Sequence, residues 1–406
     1  MTMVKQLGPS SENTKSAILD LIRSSGIVSR IELVEMSGLT AASITRVVKS
    51  LIESGLVIET GFGDSTGGKR PTLLELNTSA RYAVGIALDD ARLTYVATDL
   101  GGRIVGRLVS RGIEKLSPAV VMARVADELA TFLRELQINV DNVVGVGLAG
   151  AGLDIQNHAE RASLDAEEWE NFAVQEALES ASGLAVVREN DAACAALGQF
   201  WVGRIPATQD FAALYMATGF GCGIVARGGL ARGASSNVGE IGHMVVDVNG
   251  PDCWCGSRGC LEMLAAPKSV VEKAMLLQGL RQSLNLVGTE ASIRHDFAAI
   301  GRAAAQGDED AIDLIEASAA YIGKALLSVV NLLDLDRVYL AGPGFEEAGA
   351  IYLRVIRHEV QQFARTRNIH DVAVLMSDPA LDSAAVGAAT VALQHVLTPH
   401  QRFSRS

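Results

Sequence analysis

The sequence predicts an α/β protein with a small N-terminal module of helices and a larger body made of two α/β lobes. Three observations lead to this prediction. The first 76 residues read as three short helices followed by a hairpin. From residue 82 onward, strand-like and helix-like runs alternate, and the alternation occurs twice, which is typical of sheets covered by helices. In the second half, one histidine and three cysteines lie close together and indicate a metal site.

Length and composition exclude several classes of protein. A chain of 406 residues is too long for one hydrophobic core and predicts two or three domains. With 49% hydrophobic and 20% charged residues, the chain is not broadly disordered. No apolar run reaches the roughly 18 residues that a membrane helix needs, and the N-terminus lacks the apolar segment of a signal peptide. We therefore expect a cytoplasmic protein with no membrane partner and with reduced cysteines.

The charge is distributed unevenly along the chain. The formal net charge is −12, from 35 basic and 47 acidic residues. The segment up to Leu76 holds eight residues of each sign, which leaves 27 basic against 39 acidic residues in the remainder. Because DNA repels an acidic surface, the N-terminal segment is the only region expected to face nucleic acid.

The apolar spacing at the N-terminus predicts three helices. The first begins near residue 13 and ends at Gly26, a second spans residues 30–36, and residues 39–40 open a third. The third helix has one apolar stripe, and its other face carries small, hydroxylated and basic side chains. This is the layout of a helix-turn-helix. We predict that four residues of this segment face the major groove of DNA: Thr40, Ser43, Arg46 and Lys49.

A glycine-rich basic hairpin follows the third helix. Residues 56–59 read as a strand, residues 61–71 as a loop and residues 72–76 as the return strand. Three helices and a hairpin make a winged helix-turn-helix, predicted over residues 1–78, in which Lys69 and Arg70 reach phosphates or the minor groove. The alternative is a helical module for packing or oligomerisation. Such a module would not need this hairpin, so the pattern favours DNA binding.

Two α/β lobes are predicted for the rest of the chain. The first lobe spans residues 79–190, with strands and helices at 82–88, 93–97, 118–136, 143–148, 174–180 and 185–187. The second spans residues 191–396, with elements at 211–216, 223–227, 308–333 and 337–340 and a final helix from Ala384. Residues 397–406 form a tail. We expect Trp169 and Trp201 to serve packing.

The most specific pattern in the chain lies between Glu240 and Glu262. It reads Glu-Ile-Gly-His, then nine residues, then Cys-Trp-Cys-Gly-Ser-Arg-Gly-Cys-Leu-Glu. Glycines at turn positions let the chain fold back, so that four side chains suit one tetrahedral zinc ion: His243, Cys253, Cys255 and Cys260. We predict a structural zinc site in this knuckle, residues 243–262. The alternatives are a chance cluster of thiols and a disulfide. Cys194 and Cys222 lie in apolar runs and are expected to be buried.

This knuckle resembles the zinc signature of the ROK proteins, a family of bacterial sugar kinases and sugar-responsive repressors built on the two-lobed actin-like ATPase fold. The resemblance covers roughly residues 80 to 396, and the wing is similar to that of the ROK repressors. In the family the zinc histidine and two nearby glutamates contact the sugar. The resemblance therefore implies that His243, Glu240 and Glu262 bind a sugar, and that the zinc ion holds His243 and Glu262 in place.

Further residues are assigned to the sugar by the same resemblance. Asn190 and Asp191 match the family's Asn-Asp pair, and Gly150 lies where the family lines the sugar pocket after a strand. Asp191 can accept hydrogen bonds from a sugar hydroxyl, and the alternative for this pair is an Asx turn after a strand. Two glycine loops, residues 217–223 and 341–344, resemble the family's other nucleotide loops. Each is either a scaffold turn or a remnant that holds the phosphate of a sugar phosphate.

The first phosphate loop of the ROK kinases is altered in this chain. The kinases have Gly-x-Asp-x-Gly-Gly-Thr-Lys, whereas residues 85–92 read Gly-Ile-Ala-Leu-Asp-Asp-Ala-Arg. The metal-binding Asp has become Ala87, and the two glycines have become Asp89 and Asp90. Carboxylates at a phosphate cradle repel phosphate and prevent a close approach of the backbone. We therefore expect no ATP binding and no kinase activity.

The sequence as a whole predicts a sugar-responsive transcriptional repressor. A homodimer or homotetramer, with a dimerisation surface in the second lobe, would bind operator DNA and be released by a hexose, an N-acetyl amino sugar or its 6-phosphate. We expect the effector to be an intermediate of amino-sugar or sialic-acid catabolism. The alternative is a ROK-type sugar kinase with an accessory N-terminal domain.

Overall fold

The computed structural model describes residues 11–63, 70–89, 92–113, 116–150, 168–169, 171–203, 205, 208–235, 238–378 and 382–397. By their internal contacts the described residues form two compact units. The first unit comprises the described residues up to 150, those from 168 to 189 and those from 388 on, and the second comprises those from 190 to 387. The predicted domain boundaries stay predictions.

The N-terminal module of the first unit consists of three helices and three strands. Its helices are α1 (Ser11–Ser25), α2 (Arg30–Ser37) and α3 (Ala41–Glu53), and its strands are β1 (Ile27–Ser29), β2 (Val57–Phe62) and β3 (Thr72–Leu76). β3 pairs antiparallel with both β1 and β2. The sequence predicted the three helices and the hairpin, and β1 is an addition to the prediction. The module has a fully buried core of Ile18, Ile22, Leu33, Ile44, Val48, Leu51 and Leu74.

Capping fixes the position of the helices in this module. Ser29 and Glu32 form a capping box at the start of α2, in which the Ser29 amide donates to Glu32 Oε2 at 2.7 Å and the Glu32 amide donates to Ser29 Oγ at 3.3 Å. These hydrogen bonds lower the pKa of Glu32. Gly38, at φ 68°, ends α2. Thr40 then caps α3, which therefore begins at Ala41, after the predicted start at residues 39–40.

The rest of the first unit is built on a mixed five-stranded sheet in the order β6-β5-β4-β7-β8. Its strands are β4 (Tyr82–Ala87), β5 (Arg92–Asp99), β6 (Ile104–Arg111), β7 (Val143–Ala149) and β8 (Val186–Glu189). β4, β5 and β6 are antiparallel neighbours, whereas β4, β7 and β8 run parallel. The helices are α4 (Pro118–Glu135) and α5 (Val174–Ser182), and α4 presents a buried apolar face to the core of this sheet.

The second unit repeats this arrangement with the order β11-β10-β9-β12-β13. Its strands are β9 (Phe211–Met216), β10 (Phe220–Ala226), β11 (Gly229–Leu230), β12 (Arg337–Ala341) and β13 (Ala373–Met376). Its helices are α6 (Asp191–Val202), α7 (Leu261–Ala265), α8 (Pro267–Leu276), α9 (Gln278–Ser283), α10 (Ile293–Ala305), α11 (Glu309–Leu333), α12 (Gly349–Phe363) and the start of α13 (Ser383–Leu397). The identical strand order confirms the predicted duplicated α/β body.

Several predictions about packing are confirmed. Cys194 and Cys222 are buried, and burial raises the pKa of the Cys222 thiol to about 12. Trp201 is 5% exposed, and Trp169 packs against the core of the first sheet. No helix in the described ranges is long and apolar enough to cross a membrane.

Candidate metal and ligand site

The knuckle is folded by short backbone pairings and two glycines. Val245 and Cys260 form an isolated antiparallel bridge, and the Cys253 amide donates to the Ser257 carbonyl at 2.8 Å. Gly256 and Gly259 have φ values of 86° and 68°, which favour glycine. A Cβ on Gly259 would also overlap the Asp247 carbonyl oxygen. The tight turns predicted at these glycines therefore exist.

The knuckle brings the four predicted ligands together. The side-chain ligand atoms of His243, Cys253, Cys255 and Cys260 all lie within 4.8 Å of one another. Cys253 Sγ lies 3.7 Å from His243 Nδ1, and Cys255 Sγ lies 3.7 Å from Cys260 Sγ. Donors about 2.0–2.3 Å from a tetrahedral zinc ion are separated by about 3.3–3.8 Å, so these two distances suit one ion. This cluster of one histidine and three cysteines can bind a metal ion.

The thiols of the cluster differ in acidity. Burial, together with hydrogen bonds that the thiol donates to Cys255 and Cys253, raises the pKa of Cys260 to about 12. Burial acts in the same direction on Cys255, but hydrogen bonds from the Ser257 amide and the neighbouring thiols outweigh it and lower the pKa of Cys255. A metal binds thiolates, and three thiolates at this spacing repel one another. A divalent cation would neutralise that repulsion, which fits the donor set.

The histidine of the cluster is supported from one side by an aromatic ring. His243 ends a short 3-10 turn, Ile241–His243, and its amide donates to the Glu240 carbonyl at 3.1 Å. The Trp254 ring meets the His243 ring edge-on, with centroids 4.6 Å apart and an interplanar angle of 86°. Sequence reasoning gave Trp254 no role. Its position between two ligand cysteines was the available signal.

Glu262 connects the knuckle to the turn between β9 and β10, residues 217–219. Glu262 lies in the first turn of α7, two residues after Cys260, and is half-buried. Its Oε2 accepts a hydrogen bond from the Phe220 amide at 3.3 Å. Gly219 has no side chain, and a Cβ there would lie 2.5 Å from Glu262 Oε1. The predicted sugar-binding carboxylate is thus held against this turn.

Asn190 and Asp191 lie at the start of α6 in the same unit. Asn190 caps the helix, and its Oδ1 accepts from the Ala192 and Ala193 amides at 2.9 and 3.2 Å. Asp191 Oδ1 accepts from the Ala192 amide at 2.8 Å and lies 3.9 Å from where a Cβ on Gly221 would be. The Asx turn that was the alternative to sugar binding therefore exists, and it also caps the helix. Asp191 and Glu262 both approach the strand ends at the β9–β10 turn.

The other two residues predicted to bind the sugar, Glu240 and Gly150, lie in different segments of the chain. Glu240 is exposed and follows Gly239, whose carbonyl accepts from the Cys222 amide at 2.9 Å, so this segment packs on β10. Gly150 is buried in the first unit, directly after β7, and its amide donates to the Glu189 carbonyl at 3.4 Å. Gly150 and the knuckle belong to different units.

The turn predicted to correspond to the kinases' first phosphate loop lies at the end of β4 in the first unit. Ala87 is the last residue of that strand, and the amide of Leu88 donates to the Ala149 carbonyl at 2.8 Å. Asp89 is half-buried, and its carbonyl accepts from the Ile113 amide at 3.1 Å. Asp90 lies outside the described residues.

The predicted DNA-contacting residues surround α3. Arg46 and Lys49 are exposed on the side opposite the buried stripe, and Lys49 Nζ lies 3.8 Å from Glu53 Oε1. Thr40 and Ser43 are engaged in capping, since Thr40 Oγ1 accepts from the Ser43 amide at 3.3 Å and donates to Ser43 Oγ at 3.0 Å. Arg70 is exposed at the start of the return strand, and Lys69 lies outside the described residues.

Comparisons with known proteins agree with this architecture. Residues 105–395 match the ROK family. The xylose repressor of Bacillus subtilis is 27% identical over 385 residues, which cover 95% of this chain and 96% of that protein. A crystal structure of a ROK family transcriptional regulator, described as a homologue of the E. coli MLC protein, shares the fold with a TM-score of 0.73 at 23% identity, covering 96% of this chain and 98% of that one.

A solved kinase matches only part of the chain. The structure of the ROK hexokinase from Thermus thermophilus is similar at 25% identity and a TM-score of 0.61, and covers 78% of this chain and 99% of the hexokinase. The repressor-like matches extend over the N-terminal module as well as the body. The residues that match the family include the whole second five-stranded sheet and the knuckle, and the chain belongs to the ROK family.

Proposed function

We propose that this protein is a transcriptional repressor that binds operator DNA through its N-terminal winged helix and responds to a carbohydrate bound in its body. One observation carries the proposal. Similarity to the xylose repressor extends over 95% of the chain, and so includes the segment that folds as a winged helix with Arg46 and Lys49 exposed on α3. In this arrangement α3 is the element that enters the major groove. The rest of the chain carries the whole net charge of −12, so it is not expected to contact the phosphates.

Zinc is the metal proposed for the knuckle. One imidazole and three thiols form a closed set of four ligands, which is typical of structural zinc and leaves no open position for catalysis. When bound, zinc would supply a fixed link between the turn that ends at His243 and the start of α7, where Glu262 lies. The ion would thereby hold two proposed sugar ligands in place.

The carbohydrate is proposed to contact Glu262, Glu240, His243 and Asp191. Carboxylates that accept hydrogen bonds from hydroxyl groups suit a polyol, and Glu262 and Asp191 approach the same turn of the second unit. The proposed sugars are a pentose such as the xylose of the relative's name, a hexose, an N-acetyl amino sugar or a phosphate of these. Asn190 and Gly150 remain proposed contacts as well.

Release from DNA requires the sugar to bind one conformation better than another. We propose that the repressor is a homodimer or homotetramer whose two winged helices match the half-sites of a palindromic operator. A ligand can shift this equilibrium only by its difference in affinity for the two conformations. A difference of about 5.5 kcal/mol moves a population from 99:1 to 1:99, so a few strong hydrogen bonds suffice.

The test of the proposed function is a mobility shift with DNA from upstream of the protein's own gene. We expect a specific shift that is reversed by one compound from a panel of pentoses, hexoses, N-acetyl amino sugars and their phosphates. A scrambled duplex of the same length is the control. Absence of any specific shift would contradict DNA binding, whereas a shift that no compound alters would contradict control by a sugar.

A sugar kinase is the second candidate function, because the ROK hexokinase matches the body. Phosphoryl transfer depends on positioned phosphates and metal, and the turn after β4 lacks both the family's Asp and its glycines. We expect no ATP consumption with glucose, xylose or N-acetylmannosamine. The measurement is a coupled ADP-release assay with a ROK hexokinase as the positive control. Sugar-dependent turnover would favour the kinase.

A further inference from the structure

The Glu262 carboxylate is enclosed by backbone from two other segments of the second unit. On one side lies the β9–β10 turn, where the Phe220 amide donates to Glu262 Oε2 at 3.3 Å. A Cβ added to Gly219 would lie 2.5 Å from Oε1 and 2.9 Å from Oε2. On the other side, a Cβ added to Gly242 would lie 2.9 Å from Oε2. Each of these distances is below normal contact between a methyl carbon and an oxygen.

Neither glycine is required by its backbone conformation. Gly219 and Gly242 are absent from the glycines of positive φ, so an alanine could adopt the same backbone at both positions. The absence of a side chain at both positions therefore leaves space for the Glu262 carboxylate. At Gly242 a Cβ would additionally lie 3.2 Å from the Phe220 carbonyl oxygen.

We propose that Gly219, Phe220 and Gly242 form a carboxylate clamp that fixes the Glu262 side chain for sugar recognition, and that Gly219 and Gly242 are positioning residues. The inference rests on the proposed function, because it assigns a role in sugar binding. The clamp joins segments 42 residues apart in sequence and includes the glycine of the Glu-Ile-Gly-His motif. Gly242 therefore serves Glu262, while its neighbour His243 serves the metal cluster.

Fixing this carboxylate matters because a hydrogen bond between a charged acceptor and a hydroxyl depends on its geometry. Glutamate has three rotatable side-chain bonds, and ordering them when the sugar binds would cost free energy. A clamp that already orders the side chain in the free protein avoids this cost. The hydrogen bond from the Phe220 amide to Oε2 also orients the carboxylate. The clamp thus prepares Glu262 to accept hydroxyl hydrogen bonds from a polyol.

The test replaces Gly219 by alanine and compares it with Gly279→Ala. At Gly219 the only atoms that the new methyl group would overlap belong to the flexible Glu262 side chain. The variant is therefore expected to fold and to displace Glu262. Gly279 is exposed in α9, and a Cβ there has nothing within 4 Å, so it is a matched control. With the panel sugar that the wild type binds, we expect Gly219→Ala to weaken binding by about tenfold to a hundredfold, since a charge-assisted hydrogen bond is lost. Metal content and operator affinity should stay at wild-type values.

A thermal double-mutant cycle with Glu262→Ala tests the clamp without any sugar. We expect Gly219→Ala to lower the unfolding temperature in the wild-type background, and not in the Glu262→Ala background, where the carboxylate is gone. Additive effects in the cycle, or unchanged sugar affinity in Gly219→Ala, would overturn the clamp. If the cycle shows coupling and the wild type binds no sugar of the panel, the clamp stands and the proposed function fails.

Discussion

Replacing Cys255 by serine is expected to remove the metal from the knuckle and to abolish the response to sugar. Cys255 Sγ lies 3.7 Å from Cys260 Sγ, and the four ligand atoms lie within 4.8 Å of one another. Loss of one thiolate therefore leaves only three of the four metal ligands. Binding of structural zinc contributes about 10–16 kcal/mol in small zinc domains, and most of it depends on a complete ligand set. His243 and Glu262 would then lose their common anchor. Metal analysis and the mobility shift measure the two effects.

The same variant should retain DNA binding. The winged helix belongs to the first unit and has its own buried core, whereas the knuckle belongs to the second. Cys194→Ala is the matched control, because it removes a buried thiol that lies outside the cluster and should leave the metal in place. One equivalent of zinc in purified Cys255→Ser protein would refute the ligand assignment. Loss of metal as the pH falls is also expected, because protons compete for the thiolates.

Replacing Arg46 by alanine is expected to weaken operator binding by about tenfold to a hundredfold. Arg46 is exposed on the face of α3 opposite the buried residues Ile44, Val47 and Val48. A guanidinium on a recognition helix reads guanine or contacts phosphate, and its loss costs about 1–3 kcal/mol. Because the side chain is exposed, the unfolding temperature of the variant should stay close to that of the wild type. Fluorescence anisotropy with labelled operator DNA measures the affinity.

Two further variants separate a DNA contact from a general effect of charge. Lys49→Ala should lower the slope of log affinity against log salt by about one, as expected for a lost phosphate contact. Arg281→Ala changes the charge by the same amount on α9 in the second unit, and should leave operator affinity unchanged. Equal weakening by Arg46→Ala and Arg281→Ala would show that α3 is not the recognition helix.

The elements that depend on local pattern could be predicted from the sequence. The spacing of Ile44, Val47, Val48 and Leu51 gave the buried face of α3, because a helix repeats every 3.6 residues. β1 was missed, since its three residues become a strand only by pairing with residues 73–75 of β3. A pairing over such a distance leaves no local signal.

The candidate site likewise has parts that the sequence predicts and parts that only the structure reveals. The four metal ligands lie within one short motif, so their spacing alone predicted the cluster that the structure forms. The contact of Glu262 with Gly219 and Phe220 joins segments more than forty residues apart, and a glycine in a turn does not reveal which side chain needs its space. The Asx turn at Asn190 could be predicted as the alternative, because Asn after a strand forms such turns in many proteins, whereas its role as a helix cap emerged from the structure.

The shared strand order of the two sheets allows their hairpin turns to be compared. The turn after β4 and the turn after β9 occupy the same place in two copies of one topology. The turn after β9 has Gly219 against the Glu262 carboxylate, whereas the turn after β4 has aspartates at residues 89 and 90. Strand pairing and the buried cores maintain each sheet, so a hairpin turn can change its chemistry without loss of the fold. One topology thus holds two hairpin turns of different chemistry, one with Asp89 and Asp90 and the other with Gly219.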